Sequence, residues 1–374
     1  MKVLILSCNT GAGHNACAAA IQETLMERGV PCDIRDGLSF LSKEVSRFIS
    51  EWHVRFYRAM PKLYGEGYRY AERHVQPMEE DSAIHRLLTS GAKRMRKTIS
   101  AQGYTHVVCT HLFPAMILTM IQREHPLPIQ TAFVATDYTA SPGYDSVAAD
   151  WIFIPDESIA GEFERPDVPR GRIVPSGIPV RKAFHTRVDP ETAKRALGID
   201  PAHRHLLVMS GSMGCGPVKR ILKIIAEDLA PDTEISVICG SNRKLTRQLS
   251  RSLGTCERIH IHDFVDHVPL FMDSADLFLT KPGGLSVSES MAKRLPMVLL
   301  QAVEGCEPYN LTFCVDHGVA VTADRPAEVA ALCKALIENE ASLANMRRAC
   351  EQAWQKHPAQ TVCDCLIGVP ATEA

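Results

Sequence analysis

The sequence of 374 residues lacks the features that mark several large classes of protein. It has no run of the ~18 apolar residues that a helix needs to cross a bilayer, so a membrane-spanning protein is not expected. Lysine plus arginine (41) and aspartate plus glutamate (43) nearly cancel, giving a formal net charge of -2. A general nucleic-acid binder carries a marked positive charge, so nucleic acid is not an expected partner either.

The cysteine spacing excludes common metal sites. The 13 cysteines include no Cys-x-x-Cys pair and no Cys/His spacing typical of zinc ligands. Most, such as Cys109 and Cys239, lie in apolar runs and are expected to be buried as small hydrophobic side chains. The apolar region of residues 1–8 is too short for a signal peptide, so we expect a β-strand there and reduced thiols in the cytosol.

Two series of alternating strands and helices run along the chain. Hydrophobic content of 45% and charged content of 22% are ordinary for a soluble protein, and the length suits two domains. The alternation predicts an α/β protein with two doubly wound, Rossmann-like parallel sheets that face a central cleft. The proline-rich stretch around residues 173–190 predicts an N-terminal domain of residues 1–178 and a C-terminal domain of residues 179–374, whose last helix can pack back on the first domain.

The first glycine loop, Ser7-Cys-Asn-Thr-Gly-Ala-Gly-His14, follows a predicted strand and leads into a helix predicted from residue 15. It has Gly11 and Gly13 but lacks the third glycine of the dinucleotide pattern. The helix dipole favours a neutral imidazole at His14, which suits a general base near pH 7. A histidine that merely caps the helix is the alternative.

Two loops of the C-terminal half are typical of phosphate binding. The loop Met209-Ser-Gly-Ser-Met-Gly-Cys-Gly-Pro-Val218 can cradle a diphosphate with backbone N–H groups, and it lacks the Gly-Lys-Ser/Thr of an ATPase. The stretch Leu279-Thr-Lys-Pro-Gly-Gly-Leu-Ser-Val-Ser-Glu289 predicts a strand, a glycine turn and a helix capped by Ser286 or Ser288. Anion binding at the helix start and a ribose diol on Glu289 indicate a nucleotide site. An ordinary βα turn is the alternative.

Two further turns follow predicted strands. One is Cys239-Gly-Ser-Asn-Arg243, and the other is His262-Asp-Phe-Val265. In the second turn, Phe264 and Val265 offer an apolar surface and backbone amides to a flat base. Core packing of Phe264 is the alternative.

Two basic segments of the N-terminal half indicate a membrane surface. Residues 39–73 interleave aromatic and basic side chains, and residues 84–99 form a basic amphipathic stretch. Both patterns suit an anionic bilayer. Amphipathic helices packed on the domain with solvated basic faces are the alternative, but two such segments in one nearly neutral protein favour the membrane.

Taken in order, these motifs resemble those of the monogalactosyl- and glucosyl-diacylglycerol synthases. That family consists of inverting glycosyltransferases of the two-domain GT-B fold, and the resemblance covers most of the chain. A more distant similarity is to the bacterial enzyme that adds N-acetylglucosamine to lipid I. The resemblance implies transfer of a hexose from a UDP-sugar to diacylglycerol by a cytoplasmic protein that is peripheral on the inner face of the cell membrane.

The resemblance also implies roles for individual residues. His14 matches the family's acceptor base. Asp137 is not part of the family match, but it follows a predicted strand and is a substitute partner for His14 or an alternative base. The matching donor-binding positions are Gly211, Gly214, Cys215, Gly216, Asn242, Phe264, Val265, Lys281, Gly283, Gly284, Leu285, Ser286, Glu289, Glu304, Glu307 and Asn310. The matching acceptor and membrane positions are Gly11, Gly13, Trp52, Phe56, Tyr57, Arg58, Lys62 and Tyr64.

The chain departs from the family pattern at two positions, one beside the hexose and one in the first glycine loop. Glu304 stands where the family has a glutamine beside the hexose, so glucose and galactose both remain open. Asn9 stands where plant members carry an aspartate. Because neither Asp-x-Asp nor a His/carboxylate cluster occurs in the sequence, we expect no obligatory metal and no cofactor.

Three other functions are compatible with the motifs. One is transfer to a different lipid, such as a polyprenyl diphosphate sugar. Another is epimerisation of a free UDP-sugar, which would have little use for the aromatic segment. The third is a non-catalytic, membrane-associated sensor of UDP-sugars, which would keep every donor-binding residue.

Overall fold

The computed structural model describes residues 1–9, 11–41, 83–209, 211, 217–302, 305–354 and 357–368. The chain divides into two compact units. The first comprises Met1–Lys182 with Val303–Cys306 and Lys356–Ala374, and the second comprises Ala183–Ala302 with Glu307–Gln355. The first change of unit therefore falls a few residues after the predicted boundary at residue 178, and the C-terminal segment groups with the first unit.

The first unit is built on a parallel sheet of six strands. The strands are β1 (Val3–Ser7), β2 (Cys32–Asp36), β3 (His106–Cys109), β4 (Gln130–Val134), β5 (Trp151–Ile154) and β6 (Ile173–Pro175). The helices described between them are α1 (Ala12–Glu27), α2 (Ala83–Ala101), α3 (Leu112–Glu124) and α4 (Ala160–Phe163).

The strand order of the first sheet is β2-β1-β3-β4-β5-β6. The chain leaves β1 on one side to form β2 and continues on the other side with β3. This reversal is the topological switch point, where the loops after β1 and β3 diverge and leave a crevice for ligands. All five residues of β1 are buried, which is typical of a parallel strand covered on both faces.

The second unit has its own parallel sheet of six strands. The strands are β7 (Arg204–Met209), β8 (Thr233–Ile238), β9 (Ile259–His262), β10 (Leu277–Thr280), β11 (Met297–Leu299) and β12 (Ala320–Thr322). The helices that follow β6 along the chain are α5 (Lys182–His185), α6 (Pro190–Ala196), α7 (Val218–Ala226), α8 (Arg243–Leu253), α9 (Val268–Ser274), α10 (Gly284–Ala292), α11 (Glu307–Asp316), α12 (Pro326–Ile337) and α13 (Glu340–Ala353). The last helix, α14 (Pro358–Ile367), groups with the first unit.

The strand order of the second sheet is β9-β8-β7-β10-β11-β12. In order of appearance this is the 3-2-1-4-5-6 arrangement of dinucleotide-binding folds. Its switch point lies between β7 and β10, so the loops that begin at Gly211 and at Lys281 flank the crevice. The predicted architecture of two doubly wound α/β domains is confirmed.

The C-terminal helix α14 packs on α1 of the first unit. The Arg28 guanidinium lies 2.5 Å from the Asp364 carboxylate, and Cys363 is buried against α1, with its Sγ 3.8 Å from the carbonyl oxygen of Ile21. Cys109 and Cys239 are also fully buried, as predicted. Burial raises the pKa of the Cys109 and Cys239 thiols, which keeps both protonated and unreactive.

The basic stretch predicted at residues 84–99 forms helix α2. Met95 is fully buried in the core of the unit, whereas Lys93, Arg96 and Lys97 are exposed and line a groove of 690 Å³ between α2 and α3. Both interpretations of this stretch, membrane contact and simple packing, share this amphipathic arrangement. Among the described residues, no helix combines the length and the apolar character that crossing a bilayer demands.

The stability of the second unit is expected to depend on pH through His205. This side chain is fully buried between the hydroxyls of Ser236 and Ser274, each 2.9 Å from a ring nitrogen. Burial lowers its pKa to about 4. Between pH 6.5 and 4 the unfolded chain therefore binds a proton that the folded chain does not, so the free energy of unfolding falls by about 3 kcal/mol as pH drops through that range.

A matched variant isolates this effect from other titrating groups. His205→Gln keeps a polar side chain but cannot titrate. In urea unfolding at several pH values, the stability advantage of the wild type over His205→Gln should shrink as pH falls from 6.5 to 4. A constant difference across that range would contradict the assignment.

Candidate functional site

His14 is held at the switch point of the first sheet by polar groups that follow two neighbouring strands. It is the third residue of α1, since the helix begins at Ala12 rather than at the predicted residue 15. Its Nδ1 lies 2.8 Å from the carbonyl oxygen of Thr110 and 3.0 Å from Oγ1 of Thr136. Thr110 also donates its hydroxyl to the main-chain oxygen of His14.

These contacts fix the tautomer of the His14 imidazole. A carbonyl oxygen only accepts hydrogen bonds, so Nδ1 carries the proton and donates it to Thr110. In the neutral ring Nε2 then holds the lone pair, which is the arrangement a general base requires. Gly11 occupies the N-cap position of α1, so the alternative in which His14 caps the helix does not describe the structure.

A chain of hydrogen bonds holds the loop between β1 and α1. Ser7 donates to Asn15 Oδ1 (2.6 Å), Asn15 donates to Asn9 Oδ1 (2.9 Å), and Asn9 donates to Asp36 Oδ2 (3.3 Å). Asn9 therefore links the loop to a carboxylate at the end of β2. Polar contacts therefore fix the loop that ends at Gly11, and the predicted acceptor residue Gly13 lies in the first turn of α1.

The structure places the second predicted catalytic residue near the first. Asp137 is half-buried and directly follows Thr136, which contacts His14. The remaining predicted acceptor and membrane residues lie outside the described residues. They are Trp52, Phe56, Tyr57, Arg58, Lys62 and Tyr64.

In the second unit, Gly211 and Lys281 come together from the two sides of the switch point. Gly211 follows β7 with φ +73, a left-handed backbone that favours glycine. A Cβ at Gly211 would lie 2.6 Å from Cε of Lys281, which follows β10. The stem of Lys281 therefore passes over the first glycine of the predicted diphosphate loop.

Glu307 and Asn310 lie at the start of α11, beside the same lysine. The Lys281 ammonium forms an ion pair with Glu307, in which the two side chains are only 21% and 11% exposed. Asn310 is fully buried and donates to the carbonyl oxygen of Pro282 at 3.0 Å. Glu307 and Asn310, predicted to lie beside the hexose, thus form one cluster of polar groups with the glycine turn after β10.

Helix α10 starts earlier than the sequence suggested. Gly283 is its N-cap, in an extended conformation, and no side chain caps the helix. The predicted capping by Ser286 or Ser288 is wrong, because both lie inside the helix. Glu289 is accordingly in the second turn, where it is half-buried. The first-turn amides, which have no partner within a helix, are those of Gly284, Leu285 and Ser286.

The predicted base-binding turn follows β9. Phe264 is 71% exposed, so the alternative of core packing is wrong, and Val265 beside it is half-buried. Asn242 has a structural task, since its side-chain oxygen caps α8 by accepting from Leu245 N at 3.0 Å. An exposed aromatic ring at the carboxyl end of a strand provides a face on which a flat base can stack.

Part of the predicted donor site lies outside the described residues, namely Gly214, Cys215, Gly216 and Glu304. The sequence analysis missed Thr110 and Thr136, the partners of His14. A usable signal exists, because Thr110 directly follows β3 and Thr136 comes two residues after β4, and the carboxyl ends of neighbouring parallel strands meet at one edge of the sheet. Among the described residues, no group of three or more His, Cys, Asp or Glu side chains is placed to hold a metal ion.

Two family models match the chain, roughly one for each unit. Residues 14–180 match monogalactosyldiacylglycerol (MGDG) synthase, and residues 218–357 match glycosyl transferases group 1. A curated relative, the processive diacylglycerol beta-glucosyltransferase of Bacillus thuringiensis (strain Al Hakam), is 23% identical over 372 residues. The alignment covers 98% of this chain and 93% of the relative.

Solved structures share the fold over nearly the full chain. MurG of Acinetobacter baumannii superimposes with a TM-score of 0.68 at 14% identity, covering 98% of this chain and 99% of that one. A putative UDP-N-acetylglucosamine 2-epimerase from Listeria monocytogenes gives a TM-score of 0.65 at 13% identity, covering 100% and 98%. Because proteins with such different names share this architecture, the likeness establishes the fold alone.

The family matches indicate a class of activity, which the fold alone does not. They place an MGDG synthase sequence pattern in the unit that holds His14, and a glycosyl transferase pattern in the unit that holds Lys281. The chain therefore has the GT-B fold, and its predicted resemblance to the monogalactosyldiacylglycerol synthase and processive diacylglycerol glucosyltransferase family is confirmed.

Proposed function

We propose that the protein transfers a hexose from a UDP-sugar to the hydroxyl of diacylglycerol. The observation that carries this proposal is the oriented His14 imidazole, whose Nδ1 proton is directed at the Thr110 carbonyl so that Nε2 is the basic nitrogen. The names of the curated relatives supply the acceptor, and the MGDG synthase match lies on the unit that holds this base. Epimerisation of a UDP-sugar needs no base for a lipid hydroxyl.

In the proposed mechanism, each unit contributes one half of the reaction. Nε2 of His14 removes the proton from the acceptor hydroxyl as its oxygen attacks C1 of the hexose. The C1–O bond to UDP breaks on the opposite side, so the anomeric configuration inverts. The first-turn amides of α10 are aimed at the charge that develops on the leaving diphosphate. With this positive end and Lys281 in place, we propose that no obligatory metal is needed.

The donor is assigned to the second unit. Phe264 and Val265 contact the uracil, Glu289 accepts hydrogen bonds from the ribose, and Gly211 and Gly283 admit the diphosphate. Glu307 and Asn310, in the stretch at the start of α11, are assigned to the hexose. UDP-glucose and UDP-galactose are both candidate donors, and the hexose hydroxyl that differs between them is read in this stretch.

Replacing Gly211 is expected to weaken UDP binding. In Gly211→Ala the new Cβ would displace the Lys281 stem, and loss of one charge-assisted contact corresponds to about tenfold in affinity. Gly198→Ala is the matched control, because Gly198 has nearly the same φ (+75) but nothing within 4 Å of its Cβ position. Calorimetric titration with UDP should separate the two variants, and equal affinities would contradict the placement of the diphosphate.

We also propose that the protein acts at an anionic membrane surface on the cytoplasmic side. The exposed cations Lys93, Arg96 and Lys97 of α2 support this, since they share one groove and only Glu124 among the residues lining it is acidic. Each cation near an anionic bilayer contributes about 1 kcal/mol of attraction. Vesicle sedimentation should therefore show binding that rises with the anionic lipid content and falls with salt.

The decisive experiment is product analysis. Purified protein is mixed with vesicles containing diacylglycerol and with UDP-glucose or UDP-galactose, and the lipids are analysed by mass spectrometry. We expect hexosyl-diacylglycerol, of β configuration by NMR, from at least one donor. Transfer only to a polyprenyl diphosphate sugar, epimerisation of free UDP-GlcNAc, or UDP-sugar binding without any turnover would each replace this proposal with the corresponding alternative.

A further inference from the structure

The Lys281 ammonium lies between the two glycine turns of the second unit. Its Nζ is 3.8 Å from the Cβ position of Gly211 and equally 3.8 Å from that of Gly283. These glycines follow β7 and β10, the two strands that flank the switch point. One positive charge therefore lies beside both glycines, at the switch point of the sheet.

This charge is already neutralised by the chain itself. Glu307 is buried, and its carboxylate pairs with the Lys281 ammonium. It is the first residue of α11, where the helix dipole also favours an anion. Asn310, one turn later, fixes α11 to the glycine turn through Pro282. Glu307 is thus an anion of the chain itself, held beside the glycine turn that follows β10.

A second anion in this crevice would compete with Glu307 for the same ammonium. A diphosphate carries more charge than a carboxylate and forms strong charge-assisted hydrogen bonds with lysine. An ammonium that gains phosphate oxygens while keeping its carboxylate would bring like charges into contact, which is unfavourable. Binding of one anion should therefore release the other.

We propose that Glu307 is an internal counter-anion that the diphosphate of the donor displaces from Lys281. Donor binding exchanges one ion pair for another, and Glu307 recloses on the lysine when UDP leaves. Glu307 thus limits UDP affinity and assists product release, a role distinct from contact with hexose hydroxyls. The inference rests on the proposed UDP-sugar site but needs no particular acceptor.

The test measures UDP and uridine affinities by calorimetry on the full chain. Glu307→Gln should bind UDP about threefold to tenfold more tightly, because the competing charge is gone, whereas Lys281→Gln should bind it about tenfold more weakly. Uridine lacks the diphosphate, so its affinity should stay unchanged in both variants. Glu227→Gln, the same charge change at an exposed position after α7, is the matched control and should leave both affinities unchanged.

The double variant Lys281→Gln/Glu307→Gln identifies the route of the effect. If Glu307 acts through Lys281, the Glu307 change has no effect on UDP affinity once the lysine is gone. Equal tightening in both backgrounds would show a general field effect and overturn the exchange. Weaker UDP binding by Glu307→Gln, with native thermal unfolding, would overturn it too.

The outcomes separate this inference from the proposed function. UDP binding that follows the exchange pattern, without sugar transfer to diacylglycerol, would overturn the function and leave the exchange intact. Sugar transfer by a protein in which Glu307→Gln leaves UDP affinity unchanged would do the reverse. A wild-type protein that binds no UDP at all would overturn both.

Discussion

Replacing His14 by alanine is expected to lower the rate of sugar transfer by about 10²- to 10⁴-fold, the usual contribution of a general base. The physical reason is the orientation set by Thr110, which leaves Nε2 as the proton acceptor for the lipid hydroxyl. UDP affinity should stay at the wild-type value, because the residues proposed to hold UDP lie in the second unit. Release of UDP in the presence of diacylglycerol vesicles measures the rate, and calorimetry measures the affinity.

The control for this variant is His317→Ala, which removes an exposed histidine after α11 that has no role in the proposed mechanism and should keep full activity. Thr136→Val tests the positioning of the ring, because it removes the hydroxyl 3.0 Å from Nδ1 and keeps the shape of the side chain. We expect Thr136→Val to lower kcat with little change in the KM for the UDP-sugar. Near-normal transfer by a folded His14→Ala protein would remove His14 from the mechanism and leave Asp137 as the candidate base.

Replacing Lys293 by methionine is expected to destabilise the second unit by about 3–5 kcal/mol, which is the cost of breaking a buried ion pair. Lys293 lies 2.7 Å from Asp273, and the two side chains are only 1% and 4% exposed. Lys293 also donates to the carbonyl oxygen of Thr186. Without the ammonium, the Asp273 carboxylate would be left as an uncompensated buried charge. Urea unfolding of the full chain measures the loss.

The same pair allows a sharper test with a second variant. Burial raises the pKa of Asp273 and lowers that of Lys293, so each group by itself is driven towards its neutral form. Lys293→Met combined with Asp273→Asn removes both charges and keeps an acceptor on α9. We expect the double variant to recover most of the stability lost by Lys293→Met.

The exposed pair Lys334–Asp228 is the control for this experiment. Its carboxylate is 88% exposed, and surface pairs contribute about 0–1 kcal/mol. Lys334→Ala should therefore change the unfolding midpoint very little. If the double variant is no more stable than Lys293→Met, the damage comes from lost packing of the lysine stem rather than from the unpaired charge.

The fold could be predicted because its signals are local. A strand forms at Val3–Ser7, within the predicted apolar region of residues 1–8, and another at Leu277–Thr280, before the predicted glycine turn, since short apolar runs before glycine turns are distinctive in parallel sheets. Helix starts were less accurate. The sequence predicts serine caps for α10, but Gly283 caps it, because an extended glycine next to the strand ends the turn sooner.

The sequence by itself determined the two doubly wound domains, the glycine loops and the presence of His14 beside one of them. Only the tertiary structure decided which groups meet there. Thr110 and Thr136 lie about a hundred residues or more from His14, and they reach its ring because β3 and β4 follow β1 in the sheet order. Lys281 likewise meets Gly211 because β10 pairs with β7, and it meets Glu307 because β10 also pairs with β11. Periodicity is a property of neighbouring residues, whereas these contacts depend on strand order, which local patterns do not encode.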